Sequence, residues 1–242
     1  MICPEYSQFN GLINLDKPAG VTSSDCVRLI KKLFNAKKVG HGGTLDPFAT
    51  GVLPIGIGKG TKQLQKLLEG SKSYSGGFSI GYLTDTLDCE GYLVKFNSSA
   101  VTNLNELSRN SQKLMGSYDQ KTPMYSARKI KGEKLYNYAR KGKTIATSEI
   151  PYRSIHIHNF EIQSQDKDIF YFNVKCSKGT YVRQLIQDLL ALCNTKDTIG
   201  TLEILRRTQV GVMTEEESIN PINLFQKLMN GQNMEGSWCH PL

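Results

Sequence analysis

Gly40-His41-Gly42-Gly43-Thr44-Leu45-Asp46-Pro47-Phe48-Ala49-Thr50-Gly51-Val52-Leu53 packs four glycines and a proline into fourteen residues. Proline biases the residue before it toward extended backbone, so Asp46 is expected on a loop rather than in a helix. The glycines let that loop turn tightly and let another group approach its backbone. From local chemistry alone Asp46 reads first as the opener of an Asp-Pro turn. Directly after the loop, Val52 to Ile57 reads as a buried strand and Thr61 to Leu68 as a helix.

On the N-terminal side, Gly11-Leu12-Ile13-Asn14-Leu15 reads as a short strand ending at Lys17-Pro18. Thr22-Ser23-Ser24-Asp25 offers helix caps before the apolar-periodic run Cys26 to Phe34. Farther along, Phe170, Phe172, Val174 and Cys176 alternate with polar positions, the period of a half-buried strand. Val182, Leu185, Ile186, Leu189, Leu190 and Cys193 follow the spacing of one helix face. Arg183 stands in the first turn of that helix, where a cation opposes the macrodipole at a cost of about 0.3–1 kcal/mol. It either serves an anion elsewhere or snorkels at the surface.

The chain has 242 residues, a length that fits one large domain with a small accessory part. Net charge is +8, which favours a polyanionic partner. The surplus is concentrated. Between Lys121 and Lys143 lie Lys121, Arg128, Lys129, Lys131, Lys134, Arg140, Lys141 and Lys143 against the single acid Glu133, with Tyr125, Tyr136 and Tyr138 interleaved. This stretch reads as an exposed basic insertion. Gly231 to Leu242 is glycine-spaced and polar and is expected to be poorly ordered.

Several chemistries are excluded by pattern. Gly56-Ile57-Gly58-Lys59-Gly60-Thr61 lacks the third glycine of a dinucleotide fingerprint, and no Gly-Lys-Ser/Thr stands at P-loop spacing. There is no Gly-x-Ser-x-Gly elbow. His156 and His158 share a strand face but have no third ligand nearby in sequence. The six cysteines, Cys3, Cys26, Cys89, Cys176, Cys193 and Cys239, form no C-x-x-C pair and suit a reducing, cytoplasmic compartment. The start, Met1 to Tyr6, lacks the features of a secretory leader, and no apolar run is long enough to span a bilayer.

The loop from Gly40 to Leu53 resembles the loop of the tRNA pseudouridine-55 synthases, the TruB family. Leu15-Asp16-Lys17-Pro18-Ala19-Gly20-Val21-Thr22-Ser23 resembles that family's first motif, and Lys72-Ser73-Tyr74 through Thr84-Asp85-Thr86-Leu87-Asp88 and Gly91 its tyrosine motif. Pro123 to Ala127 resembles its RNA-gripping insertion, Cys176 to Arg183 its arginine motif, and Leu205-Arg206-Arg207 its late leucine motif. Thr122-Pro123-Met124 stands where a double proline is commoner. The matches run in family order from about Leu12 to Gly211.

The resemblance implies an α/β (α+β) fold, with a mixed, mostly antiparallel sheet, flanking helices and a central active-site cleft. It implies isomerisation of one uridine of the tRNA T loop to pseudouridine, by a monomer without metal or organic cofactor. Asp46 becomes the attacking carboxylate, Tyr74 the ring that stacks on the target base, and Arg183 the cation that pairs with Asp46. Leu205 packs under the base, His41 fills the space the base leaves, and Lys17 supports the loop. Gly42, Tyr181, Lys129, Lys131 and Lys134 join the RNA-binding set. Residues 1–215 form the catalytic domain with the insertion at about 119–150, and 216–242 a short helix and tail, with no PUA domain. The competing expectations are a non-catalytic RNA-binding or chaperone protein of the same fold and a guide-RNA-dependent subunit.

Overall fold

The computed structural model describes residues 6, 8–99, 102–142, 145–146, 149–166, 168–195, 197–232 and 234–242. The start of the chain with Cys3, Lys143 and the side chain of Arg140 lie outside them.

In chain order the elements are β1 (Gly11–Lys17), α1 (Ser23–Leu33), β2 (Val39–His41), β3 (Thr50–Ile57), a 3-10 turn (Gly58–Lys62), α2 (Leu64–Glu69), β4 (Lys72–Ile80), β5 (Tyr82–Thr84) and β6 (Leu93–Phe96). There follow α3 (Leu104–Lys113), β7 (Gly116–Lys121), β8 (Lys129–Ile130), β9 (Glu133–Lys134), α4 (Leu135–Arg140), β10 (Tyr152–Asp166) and β11 (Ile169–Cys176). The chain closes with α5 (Val182–Leu190), β12 (Gly200–Val210), β13 (Met213–Thr214), α6 (Pro221–Met229) and β14 (Cys239–Pro241).

The chain divides into two compact units, Met1–Ser75 with Leu205–Leu242, and Gly76–Ile204. In the first unit the strands lie in the order β14-β1-β3-β12-β4, with β2 beside β3 and β13 beside β12. β1 pairs antiparallel with β3 along its whole length, from Gly11 opposite Ile57 to Lys17 opposite Gly51. β12 runs parallel to β3, with Arg206 beside Thr50 and Arg207 beside Gly51. That register explains Gly51. Its φ is +100°, and a Cβ there would sit 2.3 Å from the Arg207 carbonyl oxygen, so no side chain fits.

α1 begins at a reciprocal cap. The Thr22 side chain accepts from the Asp25 N–H and the Asp25 carboxylate accepts from the Thr22 N–H. Its buried residues, Ser23, Cys26, Ile30 and Leu33, recur at helical spacing. Cys26, Ile30 and Leu33 meet Ile13, Leu15, Leu53, Ile55 and Ile57 from the strands. α6, capped by Asn220 with Pro221 in its first turn, adds Leu224 and Leu228 to the same core.

The C-terminal segment departs from the sequence expectation. β14 pairs with β1, Ile13 opposite Cys239, and Trp238 is buried in the core with Phe34 and Leu228. A polar, glycine-spaced composition does not reveal backbone pairing to a strand that lies more than two hundred residues upstream. The helix expected over Thr61 to Leu68 is also displaced, because the chain first makes the 3-10 turn and becomes α-helical at Leu64.

In the second unit the order is β12-β4-β11-β10-β7, and β10 pairs antiparallel with both β11 and β7. The alternation in β11 is as expected, with Phe170, Phe172, Val174 and Cys176 buried. Phe78 stacks on Phe170, and Phe160 meets Phe172 edge-on. In α5 the expected stripe is buried from Val182 to Leu190, and the helix ends before Cys193. The fold is thus the mixed α/β type with a mostly antiparallel sheet.

Candidate active site

In the first unit, the residues between Gly42 and Ala49 have neither helix nor ladder, so their backbone groups depend on other partners. Buried Lys17 supplies one. Its ammonium donates to the carbonyls of Pro18 (2.8 Å), Val21 (2.7 Å) and Pro47 (3.0 Å). Ser23, in the first turn of α1, both accepts from the Leu45 N–H (2.9 Å) and donates to the Leu45 carbonyl (3.2 Å). The Gly42 N–H donates to Pro54 and the Ala49 N–H to the Asp46 carbonyl. Asp46 therefore sits on a half-buried loop whose two neighbours, Leu45 and Pro47, are each tied to β1 or α1.

A second cation completes this frame. Arg207 on β12 is 1% exposed. Its Nε donates to the Val52 carbonyl (2.8 Å), Nη2 to Gly43 (3.0 Å) and Nη1 toward Thr44 (3.5 Å). Burial pulls its basicity down, and the neighbouring Tyr74 hydroxyl on β4 favours its charged form. Leu205, two residues earlier on β12, is buried on the same strand face. His41, on β2, is pushed below its ordinary pKa by burial and by the Arg207 charge, so its imidazole is neutral near pH 7. Its Nδ1 is buried with no hydrogen-bond partner among the described residues. The first unit thus carries Gly42 and Asp46 on the loop and Lys17, His41, Tyr74 and Leu205 on β1, β2, β4 and β12.

In the second unit, Arg183 is 5% exposed, so it is not a snorkelling surface cation. Its guanidinium pairs with Asp88 at 3.2 Å and donates to the carbonyls of Thr86 (2.7 Å) and Tyr125 (3.0 Å). Asp88 in turn accepts from the Thr86 hydroxyl at 2.6 Å, and the Tyr125 hydroxyl donates to Asp85 at 2.7 Å. Gln120 on β7 holds the start of α5. Its amide bonds both the N–H (2.8 Å) and the carbonyl (3.2 Å) of Tyr181. Tyr181 and Arg183 are thereby fixed at one helix end.

The expected RNA-binding lysines lie on the small β8–β9 hairpin. Lys129 and Lys131 are exposed. Lys131 pairs with Glu149 (2.6 Å), Lys141 with Glu133 (2.5 Å), and Lys134 lies 5.4 Å from the centre of the Tyr136 ring. His156 and His158 are both exposed on β10 with rings 4.7 Å apart, and His156 Nδ1 bonds the Ser117 hydroxyl. Among the described residues, no group of three His, Cys, Asp or Glu side chains is placed to hold a metal ion.

Sequence reasoning gave no role to Asp88 or Arg207, though both stood inside quoted motifs. For Arg207 a signal existed. It shares strand parity with Leu205, so a cation was due on a buried face.

A profile described as TruB family pseudouridylate synthase (N terminal domain) matches residues 31–182, which span the Asp46 loop, Tyr74 and Tyr181. The chain belongs to the TruB family. Among curated TruB proteins it is 41% identical over 210 residues to the tRNA pseudouridine synthase B of Caldanaerobacter subterraneus subsp. tengcongensis, covering 86% of this chain and 72% of that one. It is 44% identical over 233 residues to the tRNA pseudouridine synthase B of Alkaliphilus oremlandii, covering 96% and 75%. Its fold is also similar to a chain of a Cbf5-Nop10-Gar1 complex, with a TM-score of 0.73 and 27% identity. There the alignment spans 98% of this chain and 61% of the other. Asp46, the carboxylate that the family resemblance singled out, lies inside the matched stretch, and the loop frame built by Lys17, Ser23 and Arg207 comes from residues on either side of it.

Proposed function

We propose that this chain isomerises a uridine of the tRNA T loop to pseudouridine, acting as a cytoplasmic monomer. Asp46 is the nucleophile, Tyr74 the ring that stacks on the extruded base, and Arg183 the cation of the reaction. The reaction breaks the bond between N1 of uracil and C1′ of ribose, turns the base, and joins C5 to C1′. N1 gains a proton and C5 loses one, so the step balances without oxidant, reductant or water. A carboxylate suits it because it can hold the fragment covalently while the base turns.

The observation that carries this reading is the framing of the Asp46 loop. Lys17, Ser23 and Arg207 hold the backbone on both sides of the carboxylate, the arrangement expected where a nucleophile must be placed before substrate arrives. The curated relatives' own activity supports the substrate class. An aromatic ring is the usual platform for an unstacked RNA base. The exposed Lys129 and Lys131, with half-buried Lys134 beside them, suit phosphate contacts. Cys26, Cys89, Cys176, Cys193 and Cys239 are free thiols, which suits a reducing compartment.

The test is incubation of the purified chain with an unmodified tRNA transcript and with an isolated T stem-loop, followed by chemical mapping of pseudouridine. Modification of one T-loop uridine in both is expected. No pseudouridine in either would refute the reading.

A further inference from the structure

Resting on the reading just given, we infer that Arg207 is the positioning residue of the Asp46 loop, closing it from beneath.

Three observations converge on it. The first is reach. Arg207 bonds Gly43 and Thr44, three and two residues before Asp46, and Val52, six residues after it. One planar guanidinium thus ties the incoming and outgoing ends of the loop, with the carboxylate on the span between. The second is register. The Arg207 backbone lies beside Gly51, where a Cβ would collide with it. Main chain and side chain of a single residue therefore set the path of residues 43–52.

The third is cost. A fully buried cation is expensive unless its donors are satisfied. Among the described residues the guanidinium donates to the carbonyls of Val52, Thr44 and Gly43. An apolar side chain would fill this core position more cheaply. What only arginine supplies is a rigid fork of five donors, able to bond carbonyls that diverge in direction. Arg207 touches neither base nor sugar in this scheme, and it acts through Gly43 and Thr44.

Lysine keeps the charge but offers one compact head, which cannot span Val52 and Gly43 together. Displacing a reacting group by about 1 Å costs about 100-fold in rate. Arg207→Lys is therefore expected to lower kcat about 30- to 100-fold. KM and tRNA affinity stay within about threefold, because the phosphate-binding surface is untouched. Arg207→Met is expected to lose at least as much. The control is Leu228→Ala, a core truncation on α6, chosen to lower the melting temperature without touching the loop.

The experiment measures kcat, KM, tRNA binding and melting for wild type and the three variants. A low kcat in folded Arg207→Lys, with KM held and Leu228→Ala near wild-type turnover, supports the assignment. Arg207→Lys within threefold of wild-type kcat overturns it. So does a change confined to KM, a rate loss matched by Leu228→Ala at equal melting, or failure of both Arg207 variants to fold, which makes the residue a folding anchor only. An inactive wild type instead refutes the proposed function.

Discussion

Asp46 was legible because its neighbours are punctuation. Pro47 and four glycines dictate a loop whatever the tertiary context. Arg183 was half legible. Its place at a helix start was visible, but its burial and its bond to Asp88 depend on a turn in which Leu87 takes φ +67°, which no local rule demands. His41 was placed by resemblance alone, and its environment gives a measurable consequence. Burial and the Arg207 charge depress its pKa below 6.5. Below about pH 6.5 the unfolded chain then binds a proton at this position more readily than the folded one. The contribution of His41 is therefore fully present above the unfolded value and is lost as pH falls through it. The slope from this one group is at most about 1.4 kcal/mol per pH unit. Denaturant unfolding between pH 7.5 and 5 should show wild type losing stability on acidification more steeply than His41→Gln. Parallel profiles would show that His41 titrates normally in the folded chain.

At the scale of elements, the strands and helices with strong periodicity, β3, β11, α1 and α5, stand close to where the sequence put them. The C-terminal strand does not. Its only sequence signal was Trp238, the sole tryptophan, in a tract that otherwise reads as solvated. In the fold that ring is 7% exposed and β14 covers an edge of β1 that would otherwise present unpaired backbone. Truncating a buried aromatic costs about 3–5 kcal/mol. Trp238→Ala should reduce the free energy of unfolding by that order in equilibrium denaturation. A loss under about 1 kcal/mol would mean that the segment is not packed as described.

The whole molecule is a basic protein, and eight of its cations fall between Lys121 and Lys143, three of them on the β8–β9 hairpin. Sequence counting made Lys121 to Lys143 look almost uniformly free to meet phosphate. The fold tempers that count, since Glu149 neutralises Lys131 and Glu133 neutralises Lys141. Both pairs are solvent-exposed and so contribute little to stability, and a phosphate can displace either acid. Each phosphate contact adds about −0.9 to the salt slope on duplex and about −0.7 on single strands. Replacing Lys129, Lys131 and Lys134 together by Ala should flatten the salt dependence of tRNA binding by about one to three units. Turnover at saturating tRNA should change far less. An unchanged slope and affinity would show that the hairpin does not touch RNA.

The central claim is that one carboxylate does chemistry while a larger surface does binding. Forming the bond at C5 of uracil releases the C5 hydrogen, so tRNA carrying tritium at C5 of uridine reports each turnover as solvent tritium. The decisive measurement is tritium release and tRNA binding by wild type and Asp46→Asn, purified from a host lacking its own enzyme of this class. Wild type should release tritium from one uridine per tRNA. Asp46→Asn should release none above background while binding tRNA within a few-fold of wild type. Appreciable release by Asp46→Asn would contradict the claim.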